Sequence, residues 1–126
     1  MKQPSDRRNS GFTLLEVIIT ITIIGLLAAI AVPNIIIARS KAQTNGCINN
    51  LKHIDAAIQQ WALEENKGIG APVTAADLTP YLGRGGSLSS VFCPVDNSKQ
   101  FANSYTLLDT VTRPACIKIP GTHLLN

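Results

Sequence analysis

Charge and aromatic side chains are scarce in this sequence. Of 126 residues, 15% are Asp, Glu, Lys or Arg and 5% are Phe, Trp or Tyr. Neither a basic field for nucleic acid nor an array of base-stacking rings can be assembled from them. The formal net charge is +3, but without residues 1–11 Lys+Arg would fall from 11 to 8 and Asp+Glu from 8 to 7, leaving +1. The patterns that carry catalysis are missing too. No Cys-x-x-Cys or His-x-x-x-His spacing supports zinc, and neither a Ser-His-Asp set nor a phosphate-cradling glycine loop is present. His53 and Asp55, two apart on a helix, point to different faces, and His123 stands alone in the tail. Cys47 with His53 is the best nucleophile-base pairing on offer, and such pairs are usually incidental. No enzyme, no cofactor and no metal site is expected. Internal repeats and low-complexity tracts are absent as well.

What the sequence does have is one long apolar run. Val17 to Ala38 is 22 residues without a formal charge, and as a helix rising about 1.5 Å per residue it covers roughly 33 Å, enough to span a bilayer. A domain this small could not cover every face of such a helix, so a membrane span is the expectation rather than a core element. Lys2, Arg7 and Arg8 precede the run while Arg39 and Lys41 follow it, a thin majority for an inside amino end. An ordinary secretory signal is the rival, with Ala29-Ile30-Ala31 as its cleavage site. Against it, the apolar run continues through Val32 and Ile35 to Ile37, and a translocon signal gains nothing from a carboxylate at Glu16.

Arg7-Arg8, then Gly11-Phe12-Thr13-Leu14-Leu15-Glu16, then an apolar run holding Gly25 and Pro33, resembles the leader and first helix of type IV pilins and type II secretion pseudopilins. The resemblance is tight over about residues 7–40. It implies a prepilin peptidase that cuts after Gly11 on the cytoplasmic side and methylates the new amino terminus at Phe12. It also implies a loosening of the helix between Gly25 and Pro33 on assembly, and a pairing of Glu16 with the Phe12 amine of a neighbouring subunit. The implied partners are identical subunits, an assembly ATPase and a polytopic inner-membrane platform. Three segments follow from this reading: a leader at 1–11, a transmembrane and filament-core half-helix at 12–38, and a periplasmic globular domain at 39–126. The acidic cluster that supports calcium in many major pseudopilins is not recognisable, although Asp96 and Asp109 could meet at a sheet. Secretion ranks above a motility, adhesion or DNA-uptake pilus on the modest basicity of the mature chain.

Beyond the span the pattern turns amphipathic. Ile48, Leu51, Ile54, Ile58, Trp61 and Ala62 make one stripe, with Trp61 read as core. With Gly68 as a left-handed cap, the helix is expected from Phe12 to about Asn66, Gly46 costing it about 1 kcal/mol against Ala. Thr74-Ala-Ala-Asp77 starts a short helix over Ala75–Leu82 interrupted at Pro80, and Gly83 to Ser87 is a loop. Ser104–Val111 and Cys116–Ile119 are expected to pair as an antiparallel sheet on the helix. The fold class is therefore α+β, pilin-like. Three cysteines allow one bridge and a leftover thiol, or none bridged. Cys93 and Cys116 share the β-rich tail and are the expected pair, which the Cys93-Pro94 and Pro114-Ala115-Cys116 arrangement also suggests by its resemblance to short pseudopilin-like tails. A bridge from Cys47 to either stays open.

Overall fold

The computed structural model describes residues 11–82 and 87–125. Most of the leader expected at 1–11, and most of the loop expected at 83–87, lie outside the described residues. Two compact units divide the chain, Met1–Ile37 and Ala38–Asn126. Helix α1, Leu14–Glu64, contributes to both.

In the first unit the described residues of α1 are exposed on every face, including Ile24 and Leu26 at 65% each. This helix is long and apolar enough to cross a membrane, and a stretch of exposed Leu, Ile and Val this continuous marks an interaction surface. Its polar side chains are satisfied within the helix. Thr20 Oγ1 donates to the Val17 carbonyl at 2.8 Å and Thr22 Oγ1 to that of Ile18 at 2.7 Å. Such back-bonding is what a hydroxyl needs where water is absent. Pro33 lies inside α1, where its missing N–H leaves the Ala29 carbonyl without its helical donor. The next residue, Asn34, donates its side-chain amide to the Ile30 carbonyl at 3.1 Å.

In the second unit α1 buries Cys47, Leu51, Ile54, Ala57, Ile58 and Trp61. Spacings of four, three, four and three connect positions 47, 51, 54, 58 and 61, so the buried stripe begins at Cys47 rather than at the expected Ile48, which is half-buried. Cysteine as a neutral thiol packs as a small hydrophobe. The end of the helix also differs from expectation. Asn66, at φ 49°, is the left-handed residue, with Lys67 N–H donating to the Ala62 carbonyl at 2.9 Å and Asn66 N–H to that of Leu63 at 3.4 Å. These two bonds close a Schellman motif two residues before Gly68.

Against this stripe pack Val73, Leu78, Leu82, Cys93, Phe101, Tyr105 and Cys116. Helix α2 is Ala75–Leu78, started by an Asp77 carboxylate that accepts from Thr74 N–H at 2.9 Å and Thr74 Oγ1 at 2.6 Å. A 3₁₀ turn at Leu88–Ser90 and a short helix α3, Phe101–Ser104, follow. The sheet is antiparallel as expected but shorter. Strand β1, Tyr105–Thr106, pairs with β2, Ala115–Cys116, and an isolated bridge joins Pro72 to Asp109. The rest of the expected first strand leaves the ladder because Leu108 and Thr110 bond instead to the segment after α1: Val73 N–H donates to the Leu108 carbonyl, and Thr110 N–H to that of Ala71.

Candidate functional site

Two groups of residues carry chemical character beyond packing. The first begins at Gly11. Among the described residues, a Cβ added to Gly11 would meet nothing within 4 Å, and the same holds at Gly25, so no contact with them requires glycine at either place. Phe12 is 88% exposed. Glu16 is engaged locally: its Oε2 accepts from Thr13 N–H and from Thr13 Oγ1, each at 3.0 Å, and Thr13 Oγ1 accepts from Glu16 N–H at 3.3 Å. This is a capping box at the start of α1. The signal was in the sequence, since Thr13-Leu-Leu-Glu16 has the required spacing ahead of an apolar run.

The second group lies wholly within the globular unit. Cys47 on α1, Cys93 after the 3₁₀ turn, Cys116 on β2 and His123 in the tail converge, all buried, with one ligand atom from each inside 4.8 Å of the others. The Sγ atoms of Cys93 and Cys116 are 3.7 Å apart. His123 Nδ1 lies 3.8 Å from Cys93 Sγ and 3.7 Å from Cys116 Sγ. The expected pair is thus brought together, but as thiols, at a separation well beyond the ~2.05 Å of a bond. Two expectations are corrected. Cys47, expected as the leftover thiol of a Cys93–Cys116 bridge, joins both of them, because the buried stripe turns it toward the sheet. His123 does not stand alone, because the tail folds back over the two cysteines.

The orientation of the His123 ring follows from donor counting. Thr44 Oγ1 donates to the Ser40 carbonyl at 3.1 Å and lies 3.2 Å from His123 Nε2. With its single proton on that carbonyl, Thr44 Oγ1 can accept from Nε2–H, the tautomer that leaves the Nδ1 lone pair facing the sulfurs. Burial lowers the His123 pKa and so favours this neutral ring. Burial also pushes the Cys47 thiol far up, with the neighbouring Cys93 and Cys116 adding to it. Cys93 is raised by burial too, offset in part by the Val95 backbone N–H.

Around this cluster the backbone is held by a polar chain. Cys93 N–H donates to Ser104 Oγ at 3.0 Å, and Ser104 Oγ donates to Asp96 Oδ2 at 2.8 Å. Asp96 pairs with Lys118 at 3.3 Å. Burial would raise the Asp96 pKa, but hydrogen bonds from Ser98 and Ser104, with Lys118, outweigh it and hold the carboxyl well below its ordinary value. Asp109 serves another network, accepting from Val111 N–H at 2.8 Å and Thr112 N–H at 2.6 Å. The two aspartates therefore do not form a shared acidic site. Gly46 has a packing role that the sequence did not reveal: a Cβ there would lie 3.2 Å from Pro94 Cγ, so glycine lets the Cys93-Pro94 loop approach α1 beside Cys47.

At the amino end, residues 6–32 match the prokaryotic N-terminal methylation motif. The chain is homologous to type II secretion and type IV pilus subunits. It is 38% identical over 61 residues to the type II secretion system core protein G of Aeromonas hydrophila, covering 48% of this chain and 43% of the relative. Against the protein of the same name from Pectobacterium carotovorum subsp. carotovorum it is 32% identical over 82 residues, 60% of this chain and 53% of the relative. The type IV major pilin protein PilA of Myxococcus xanthus is 40% identical over 60 residues, 48% of this chain and 27% of that pilin. The chain spans about half the length of the core G relatives it matches. No solved structure matches it significantly.

Proposed function

We propose that this chain is a filament-forming structural subunit of the major-pseudopilin type, working in a type II secretion system, and that it performs no catalysis of its own. The observation that carries this reading is the junction at Gly11. A methylation motif covers residues 6–32, and within it, just after Gly11, α1 begins at Leu14 with an apolar stretch exposed on every face among the described residues. Because none of the described residues packs on Gly11, its identity is free to answer to a peptidase, where a residue without Cβ admits the extended backbone closely. Cleavage after Gly11 and methylation of Phe12 then leave the span attached to the mature protein. The helix holds the subunit in the inner membrane with the globular domain on the periplasmic side, until an assembly ATPase and membrane platform pass it into the filament. There the exposed Leu, Ile and Val side chains exchange lipid for the same residues of other copies, in the head-to-tail contact that propagates without closing.

A type IV or DNA-uptake pilin is the second reading, favoured by the similarity to the Myxococcus protein. Several core G proteins align over about 60% of this chain, against 48% for the pilin, which supports secretion. Intact mass and amino-terminal sequencing of the purified protein test the proposal. A chain beginning at Phe12 with one added methyl is the expected result. A chain cut after Ala31 and free in the medium would overturn it in favour of a secreted soluble domain. Loss of secreted enzymes, with piliation unchanged, on deletion of the gene separates secretion from the pilus reading.

A further inference from the structure

We propose that Cys47, Cys93, Cys116 and His123 form a structural zinc site, three thiolates and the Nδ1 of one imidazole around a single Zn²⁺. Distance is the first argument. Zn–S bonds of about 2.3 Å and a Zn–N bond of about 2.0 Å at tetrahedral angles require S···S separations of about 3.8 Å and S···N separations of about 3.5 Å. The Cys93–Cys116 separation is 3.7 Å, and His123 Nδ1 stands 3.8 and 3.7 Å from those two sulfurs. Chemistry is the second. Three sulfurs with one nitrogen select a thiophilic, tetrahedral ion over calcium or magnesium, which take oxygen.

Orientation is the third argument, and it is independent of the other two. A ligating histidine ordinarily donates its remote N–H to a fixed acceptor. His123 Nε2 has that acceptor in Thr44 Oγ1, itself anchored on the Ser40 carbonyl, and this directs the Nδ1 lone pair at the sulfurs. The four residues also come from four segments: α1, the loop after the 3₁₀ turn, β2 and the tail. One ion would tie all of them together in a domain whose sheet is two residues per strand. Small domains with little core commonly gain their stability in this way. In the binding step Zn²⁺ displaces the three thiol protons, which leave to solvent, and accepts the Nδ1 lone pair; no oxidant or reductant is involved. The site and a Cys93–Cys116 disulfide are exclusive uses of the same sulfurs.

The test is the metal content and thiol state of the full-length protein, extracted in mild detergent without reductant. One zinc per chain is expected, with all three cysteines alkylated only after chelation and denaturation. The reduced, chelated protein should take up one Co²⁺ with the intense visible absorption of a tetrahedral thiolate complex. Cys47→Ser should lose that spectrum. His123→Cys, which supplies a fourth thiolate, should keep Co²⁺ bound with stronger sulfur-to-metal charge transfer, and it guards against a variant that merely unfolds. A Cys93–Cys116 linked peptide in the protein as isolated, or a reduced protein that binds neither ion stoichiometrically, would overturn the proposal. Because the amino terminus is read separately, a metal-free chain that still begins at methylated Phe12 defeats the zinc site and leaves the filament function standing.

Discussion

Thr44 and His123 meet 79 positions apart in the chain, Oγ1 to Nε2 at 3.2 Å, and join α1 to the carboxyl-terminal tail. His123 is 1% exposed, so water does not replace this partner if it is lost. Thr44→Val keeps the shape and removes the acceptor. The variant is expected to lose about 1–3 kcal/mol of stability, the cost of a buried donor left unsatisfied, while Thr44→Ser should recover most of it. Urea unfolding of the full chain in mild detergent measures both. A valine variant as stable as the parent would show that the tail is not held by this bond.

Gly46 is the next position where a small change should be informative. In an isolated helix Ala would be better than Gly by about 1 kcal/mol. Here the added methyl sits 3.2 Å from Pro94 Cγ, so the gain is offset by pushing the Pro94 loop outward. Gly46→Ala should be close to neutral, and Gly46→Leu should destabilise by about 1–3 kcal/mol through overpacking. A leucine variant at parental stability would mean that the loop is not seated on the helix.

How much of this was legible depended on whether the signal was local. The α1 stripe at Leu51, Ile54, Ile58 and Trp61 repeats with the helical period and was plain in the sequence. So was the membrane-length run ahead of it. The sheet was right in kind and wrong in extent, because Leu108 and Thr110 had an alternative partner in residues 71–73 that only the fold brings near. The helix stop near Asn66 was legible, and only the left-handed residue differs: Asn and Gly both tolerate that region, and Gly is the commoner choice. The cysteine-histidine cluster was illegible because it lacks the short paired spacings of common zinc sites. Cys93 and Cys116 are 23 positions apart, and Cys47 is drawn in only by the packing of α1.

Asp109 gives a pH prediction. Its carboxylate accepts from Thr112 N–H and Val111 N–H, and these bonds lower its pKa in the folded chain. A group depressed on folding adds stability above its unfolded pKa, about 3.9 for Asp, and that stability disappears as pH falls through the folded value. The parent should therefore lose Tm on acidification below about pH 4. Asp109→Asn should be less stable at neutral pH, with the difference closing in acid. Two melting curves that stay parallel down to low pH would remove Asp109 from the account.

The last prediction separates two roles of Glu16. The capping box uses only Thr13 and Glu16, so it survives cleavage after Gly11, and it gives the carboxylate a local purpose in the monomer. The proposed filament would add a second purpose, because cleavage after Gly11 would create a charged amine at Phe12. An amine entering an apolar assembly unpaired is costly, and pairing it with Glu16 of a neighbouring copy would fix how far each subunit advances. The two roles respond differently to substitution. Glu16→Gln keeps an oxygen that can accept from Thr13 and removes the charge; Glu16→Val removes both. Each variant is expected to insert and to be cleaved normally, since the apolar run and Gly11 are untouched. If the charge governs assembly, both should deplete sheared filaments about tenfold or more relative to the processed membrane pool, a deficit equivalent to about 1.4 kcal/mol or more. A glutamine variant with normal filament yield and normal subunit rise, beside a defective valine variant, would assign Glu16 to the cap alone.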